Sequence, residues 1–307
     1  MAFEQTANFA TRPPRATSEH YADRIRSYVV FDLESAVIED TAHRRYLQME
    51  RWVPDQTARK SRRGYKRGDC PLQTPRWPFQ TIAALSAMVL TEHEEGNLQV
   101  MRFVTWSLAK HSEAEIVEGF LQLLKEAPTG AELASWGAAW SDLPILIAAA
   151  LRYGLSLPAG WEWMAWQGGG RVPHIDLARV LGGDSKMKPC HFGEYAAAQN
   201  IPAKLIAKPA DVAKLIAAGQ FDLVEQVAEG DVIAEALLLA RWRKLLDPRA
   251  KADVVEDRIL RAVEELRPGR GYVLELQAHR AAKFQIALVS SADEAVRPIK
   301  WLPDLAA

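Results

Sequence analysis

Cysteine is nearly absent from this chain of 307 residues: Cys70 and Cys190 stand far apart, and neither has a C-x-x-C partner. That pattern offers neither a disulfide framework nor a zinc site, and it fits a reducing compartment, so the cytoplasm is the expected location. Long apolar runs are missing too. The longest, Leu143 to Leu151, falls far short of the roughly 20 residues that a membrane helix requires, so no membrane partner is expected. The N-terminal segment carries Glu4 and no continuous apolar stretch, unlike a secretory signal. There is no internal repeat, low-complexity tract or heptad, which excludes repeat and coiled-coil architectures. Neither sign of charge prevails, the formal net charge being -1. At this length one large domain, or one domain with an appendage, is expected.

The near-neutral total hides a local excess. Between Arg44 and Arg76 the chain holds ten Lys or Arg (among them Arg62, Arg63, Lys66 and Arg67) against three acids. Such a block attracts polyanions by counterion release, and it also suits a solvated basic loop. With Gly64, Gly68, Pro71, Pro75 and Pro78 inside or beside it, the stretch of about 40–78 reads as an insertion holding one short helix. Residues 1–26, polar and containing Pro13-Pro14, read as an extended arm.

Three apolar runs propose strands: Tyr28–Leu33, Thr81–Leu90 and Leu98–Leu108, the last two separated by a polar break containing Gly96-Asn97 that suggests a hairpin. Ser112 with Glu115 forms a capping-box signature for a helix to Glu126, and a short strand over 132–137 leads into an apolar helix, Leu143–Tyr153, stopped by Gly154. Trp161, Trp163 and Trp166 beside a triple glycine fit a core corner or a surface on which bases stack. The remainder reads as helices over 174–181, 193–200, 209–218, 221–246 and 254–266. A Pro-Gly-Arg-Gly turn at 268–271 and two strands, Tyr272–Gln277 and Phe284–Val289, then propose a small α+β extension over 249–307, with the main domain over 27–248.

The chemistry concentrates in acids. The run Tyr28-Val29-Val30-Phe31 ends in Asp32-Leu33-Glu34, and strand alternation puts both carboxylates on one side of the sheet. Like charges there repel unless a cation such as Mg²⁺ or Mn²⁺ lies between them, or unless they form a solvated strand end. Asp142 sits where a strand gives way to a helix, a position that also suits a plain N-cap. Asp231 lies in a largely apolar helix, where a charge must either coordinate something or face solvent. His174 and Asp176 read as structural.

The order of these motifs carries a resemblance. Val30-Phe31-Asp32-Leu33-Glu34-Ser35, then Asp142-Leu143-Pro144-Ile145-Leu146, His174-Ile175-Asp176-Leu177, and Gly230-Asp231-Val232 followed by Leu239-Ala240-Arg241-Trp242 together resemble the DEDD superfamily of 3′–5′ exonucleases. Within it, the chain is similar to the predicted exonucleases related to the proofreading domain of family B DNA polymerases. The resemblance implies an RNase H-like α/β fold, a mixed sheet flanked by helices. It also implies two-metal hydrolysis of phosphodiester bonds at single-stranded DNA or RNA 3′ ends. Asp32, Glu34, Asp142 and Asp231 would hold two Mg²⁺ or Mn²⁺ ions. The family's Tyr four residues before the third Asp, or His five before it, are here Val227 and Gln226. Gln226 can orient a water, although neither residue can act as a general base. The competing readings are a nucleic-acid-binding protein of the same fold without turnover and a structural oligomer subunit; self-association stays open.

Overall fold

The computed structural model describes residues 26–50, 75–93, 97–165, 173–183 and 190–296. One five-stranded sheet organises them, in the order β3-β2-β1-β4-β5. Strands β1 (Ser27–Ala36), β2 (Thr81–His93) and β3 (Asn97–Ser107) form an antiparallel meander, whereas β4 (Glu132–Ser135) and β5 (His174–Asp176) add parallel to it on the far side of β1. This mixed sheet flanked by helices is the RNase H-like arrangement. The basic block at Arg62, Arg63, Lys66 and Arg67, the N-terminal arm and Trp166 lie outside the described residues.

Alternation along β1 sorts its side chains between two layers. Val29, Phe31 and Leu33 pack toward α2 (Glu113–Glu126) and α3 (Asp142–Tyr153), while Tyr28 and Val30 join a core built with α7 (Phe221–Leu246) and α8 (Ala252–Leu266). Asp32 and Glu34 continue the α7 side. Their strand is a central one, and its parallel pairing with β4 ends at Val30 opposite Ala134. Past that point the two strands no longer pair, and the carboxyl ends of strands are the usual place for a ligand in such sheets.

Local chemistry sets the helix ends. The capping box of Ser112 and Glu115 forms at the start of α2, and Gly154 ends α3 at a left-handed φ of 66°, which glycine adopts without a Cβ clash. Helix α7 is enclosed along almost its whole length, every residue from Val224 to Ala240 being buried. The other helices are short: α1 (Thr41–Met49), α4 (Leu177–Leu181), α5 (Phe192–Ala198) and α6 (Pro209–Ala217).

Two expected elements differ. The segment from His174 is not helical throughout, because parallel pairing with β4 draws His174–Asp176 into the sheet before α4 begins. The expected C-terminal hairpin, with strands over 272–277 and 284–289, is instead the single helix α9 (Val273–Val296). No Gly, Pro or Asn interrupts 272–296, and the segment is rich in Ala and Leu, good helix formers. Its buried residues, Tyr272, Val273 and Leu276, follow helical spacing, while Leu274 is exposed. The C-terminal extension is therefore helical, and Val255, Ile259, Leu260, Val263, Tyr272 and Leu276 share one core with Val232 and Leu237 of α7.

Among the described residues no helix is long and apolar enough to cross a membrane.

Candidate active site

Four of the sequence-derived acids meet at the carboxyl end of β1. Asp32 and Glu34 come from the carboxyl end of β1, Asp231 from the middle of α7 above them, and Asp142 from the first turn of α3. Asp32, Glu34 and Asp231 each present an oxygen within 4.8 Å of the others. Asp142, buried like Asp231, lies close enough for its charge to act on Asp32 and Glu34. The cap reading of Asp142 gives way here, since Ser141 holds the cap position and Asp142 is the first helical residue. The solvent-facing reading of Asp231 gives way too, because the side chain is buried against Lys204.

Electrostatics show how far this cluster departs from a solvated strand end. Burial, followed by the charges of Asp231, Asp142, Glu34 and Glu235, pushes the Asp32 carboxyl well above the usual range. Glu34 keeps part of its surface open to solvent, yet the protein around it and then Asp231 raise it to about 8, against the opposing pull of Lys204. Burial raises Asp142 to about 7, with Ser141 opposing through a hydrogen bond and Asp176 and Asp231 adding to the rise. Asp231 is raised by burial and held back by Lys204.

Two residues at the site carried no signal in the sequence. Lys204 lies in the loop between α5 and α6, and its Nζ donates to Asp231 Oδ2. Burial alone would lower its pKa, but Asp231, Asp32 and Glu34 outweigh that and raise it. Its backbone has a φ of 56°, uncommon for a residue with a Cβ, so the loop holds it in a sparsely populated conformation. Glu235, one turn beyond Asp231 on α7, is the second. One carboxylate oxygen accepts the Trp136 N–H at 3.1 Å. A pattern of acids at 225, 229, 231 and 235 could have flagged the helix, although it does not tell which acids share a face with Asp231.

Other candidates have structural duties. Gln226 is engaged elsewhere: its Oε1 accepts the Gly271 N–H at 2.8 Å and its amide nitrogen donates to the Asp222 carbonyl at 3.4 Å, contacts to residue 271 and to its own helix rather than to the acids. Glu225 accepts from Ser107 at 2.6 Å and from Arg270 at 2.7 Å. His174 shares a 2.8 Å hydrogen bond with Ser135 and stacks on Trp163, and burial lowers its pKa to about 4. Asp176 accepts the N–H groups of Gly137 (2.8 Å), Ala139 (3.2 Å) and Ala178 (3.1 Å), which fixes the turn that delivers Asp142. Trp161 and Trp163 pack against each other at 6.1 Å in the core around α3, so these two form a core corner.

The donor set is oxygen only, which suits hard cations such as Mg²⁺ or Mn²⁺. Asp231 Oδ1 and Glu235 Oε2 are buried without a hydrogen-bond partner, an arrangement that a cation would satisfy.

Comparison with known proteins agrees with this geometry. Residues 74–266, more than half of the chain, match the family described as "Predicted 3'-5' exonuclease related to the exonuclease domain of PolB". The matched span contains Asp142 and Asp231; Asp32 and Glu34 precede it and reach the site through β1. A search of curated proteins finds no match. Among solved structures, the chain is similar to the family B DNA polymerase from the hyperthermophilic archaeon Pyrobaculum calidifontis (14% identity, TM-score 0.45). That alignment covers 78% of this chain and 29% of the polymerase. It is also similar to exonuclease I in its apo form (14% identity, TM-score 0.36), with 74% of this chain and 44% of that one covered. The chain thus spans less than half the length of either structure. By the match over residues 74–266, it belongs to the family of predicted 3′–5′ exonucleases related to the exonuclease domain of PolB.

Proposed function

We propose that this protein is a metal-dependent 3′–5′ exonuclease that hydrolyses phosphodiester bonds at the 3′ ends of single-stranded DNA or RNA. Asp32, Glu34, Asp142 and Asp231 would hold two Mg²⁺ or Mn²⁺ ions. The observation that carries this reading is the convergence of Asp32, Glu34 and Asp231 within 4.8 Å at the carboxyl end of the central strand, with Asp142 beside them. When bound, such ions supply an activated water and neutralise charge on the leaving 3′-oxygen. The chain's own part is placement. The sheet and α7 fix the acids before substrate arrives, so little reorganisation accompanies the reaction. Lys204, tied to Asp231, sets a positive charge at the edge of the cluster where a phosphate's negative charge would develop. The basic block at Arg62, Arg63, Lys66 and Arg67 would hold the strand by its phosphates.

A second reading draws on Val227 and Gln226. The first is apolar and the second is bonded to Gly271, so among the described residues neither family position supplies a base. On that reading the protein binds single strands without cutting them. One experiment separates the two: 3′- and 5′-labelled DNA and RNA strands incubated with the protein in Mg²⁺, Mn²⁺ or EDTA, beside Asp32→Ala and Asp231→Asn. Shortening from the 3′ end that needs the metal and falls by more than about 100-fold in either variant is expected, since even residues behind the ligands cost 10- to 100-fold. Binding without shortening in both metals overturns the exonuclease and leaves the binder.

A further inference from the structure

Glu235 is a buried charge that the four acids of the site leave unexplained. It is 2% exposed on a helix enclosed on every side. Its first oxygen takes the Trp136 N–H, and its second, Oε2, has no hydrogen-bond partner. As a carboxylate it leaves a buried lone pair unmet. Helical spacing puts it on the same face as Asp231, and the charges of Asp231 and Asp142 both act on it. Asp231 Oδ1, one turn away, is buried without a partner as well.

Charge balance gives this side chain a reason to exist. Asp32, Glu34, Asp142 and Asp231 carry four negative charges when ionised, and Lys204 cancels one through its ion pair with Asp231. Three remain against the four positive charges of two divalent ions. Glu235 restores the fourth.

We propose that Glu235 is a fifth carboxylate of the ion-holding centre, offsetting the charge of Lys204 and offering its unpaired oxygen on the Asp231 face of α7. The inference rests on the metal-dependent reading above. It makes the site a matched set in which Glu235 and Lys204 must be gained or lost together.

The test is Mn²⁺ binding to the full chain, followed by calorimetric titration, with melting temperatures in EDTA and in Mn²⁺. Wild type is compared with Glu235→Gln, Lys204→Met, the double variant and Glu235→Asp. Two Mn²⁺ ions are expected for wild type. Glu235→Gln should weaken the looser ion at least about 10-fold, the lower end of what residues supporting a metal site cost. It should also melt higher than wild type in EDTA and gain less from Mn²⁺, whereas a merely structural glutamate would lower both melting temperatures. The double variant should recover Mn²⁺ affinity to within about 3-fold of wild type, because the charge balance is restored, and Glu235→Asp should stay closer to wild type than Glu235→Gln. Two ions bound by Glu235→Gln at wild-type affinity overturn the assignment of Glu235 alone. A double variant no better than Glu235→Gln overturns the balance with Lys204. A wild-type chain that binds no Mn²⁺ overturns both this inference and the metal-dependent reading.

Discussion

Without a bound cation, the crowded carboxylates should make this protein less stable near neutral pH than in mild acid. An acid whose pKa is raised by folding holds its proton more tightly in the native state. Its contribution is therefore most favourable below the unfolded pKa and is lost as pH rises to the folded value. Asp142 moves from an ordinary 3.8 to about 7. That shift of roughly three pH units corresponds to about 4 kcal/mol at 1.36 kcal/mol per unit. Glu34 moves from 4.5 to about 8 and acts in the same direction, with a smaller share than its shift implies because part of its side chain meets solvent. The two groups share neighbours, so their contributions do not add. Acids with lowered values, such as Asp257 and Asp247, work in the opposite direction but titrate below the ordinary carboxylate range, outside this window. Urea unfolding in EDTA should thus show stability falling by about 4 kcal/mol between pH 4.5 and 8, with a slope of up to about 1.4 kcal/mol per pH unit for each proton released. Saturating Mg²⁺ or Mn²⁺ should flatten the curve, because a cation favours the ionised acids, and Asp142→Asn should lessen the slope in EDTA without abolishing it, since Glu34 and Asp32 are raised as well. A level profile in EDTA, or the same slope with and without metal, would refute the reasoning.

Three other outcomes test separate parts of the structure. Arg270→Met removes a partner of both Glu225 and the fully buried Glu229, so urea unfolding should show a loss of about 3 kcal/mol, the cost of leaving a buried charge short of its partner. The substitution Gly→Ala should have opposite signs in two helices. At Gly119 the new Cβ would meet the Trp106 ring at 2.5 Å, and the overpacking, about 1–3 kcal/mol, should outweigh the gain in helix propensity; at Gly230 nothing lies within 4 Å, and stability should rise by about 0.5–1 kcal/mol. Reversing Arg62, Arg63, Lys66 and Arg67 to Glu should flatten the salt dependence of single-strand binding, and an unchanged slope would mean that the basic block does not touch phosphate.

The framework was legible where local chemistry and long-range packing agree. Tyr28–Leu33 reads as a strand because it is one, buried on both faces, and the D-x-E at its end keeps its meaning because alternation survives in the sheet. Ser112 and Glu115 mark a helix start through hydrogen bonds that need only neighbouring residues. The misreadings came from tertiary context. Tyr272–Gln277 and Phe284–Val289 are rich enough in β-branched and aromatic residues to look like strands, but no turn separates them and the helix runs through. Asp142 looked like a cap because position alone does not reveal that α3 begins against a cluster of acids. Lys204 sits in a loop without periodicity, and only the fold brings it from between α5 and α6 to Asp231. Glu235 was invisible for a different cause. In a helix buried all round, periodicity no longer separates an inward face from an outward one, so each acid on α7 must be placed by what it touches.

That enclosure of α7 has a consequence for where the protein can be cut. Within eleven residues the helix carries Asp231 and Glu235 on the side of the acid cluster and Glu225, Gln226 and Glu229 toward the turn that joins α8 to α9. Their partners there, Arg267, Arg270, Gly271 and Tyr272, all follow the last residue of the family match. A chain cut after residue 266, where the match ends, would therefore keep every acid of the site and strand two buried glutamates two turns or less from Asp231. The pairing of α7 thus runs through Tyr272, and the segment that looks most like an appendage supplies partners that let the shared helix stay charged on both of its working sides.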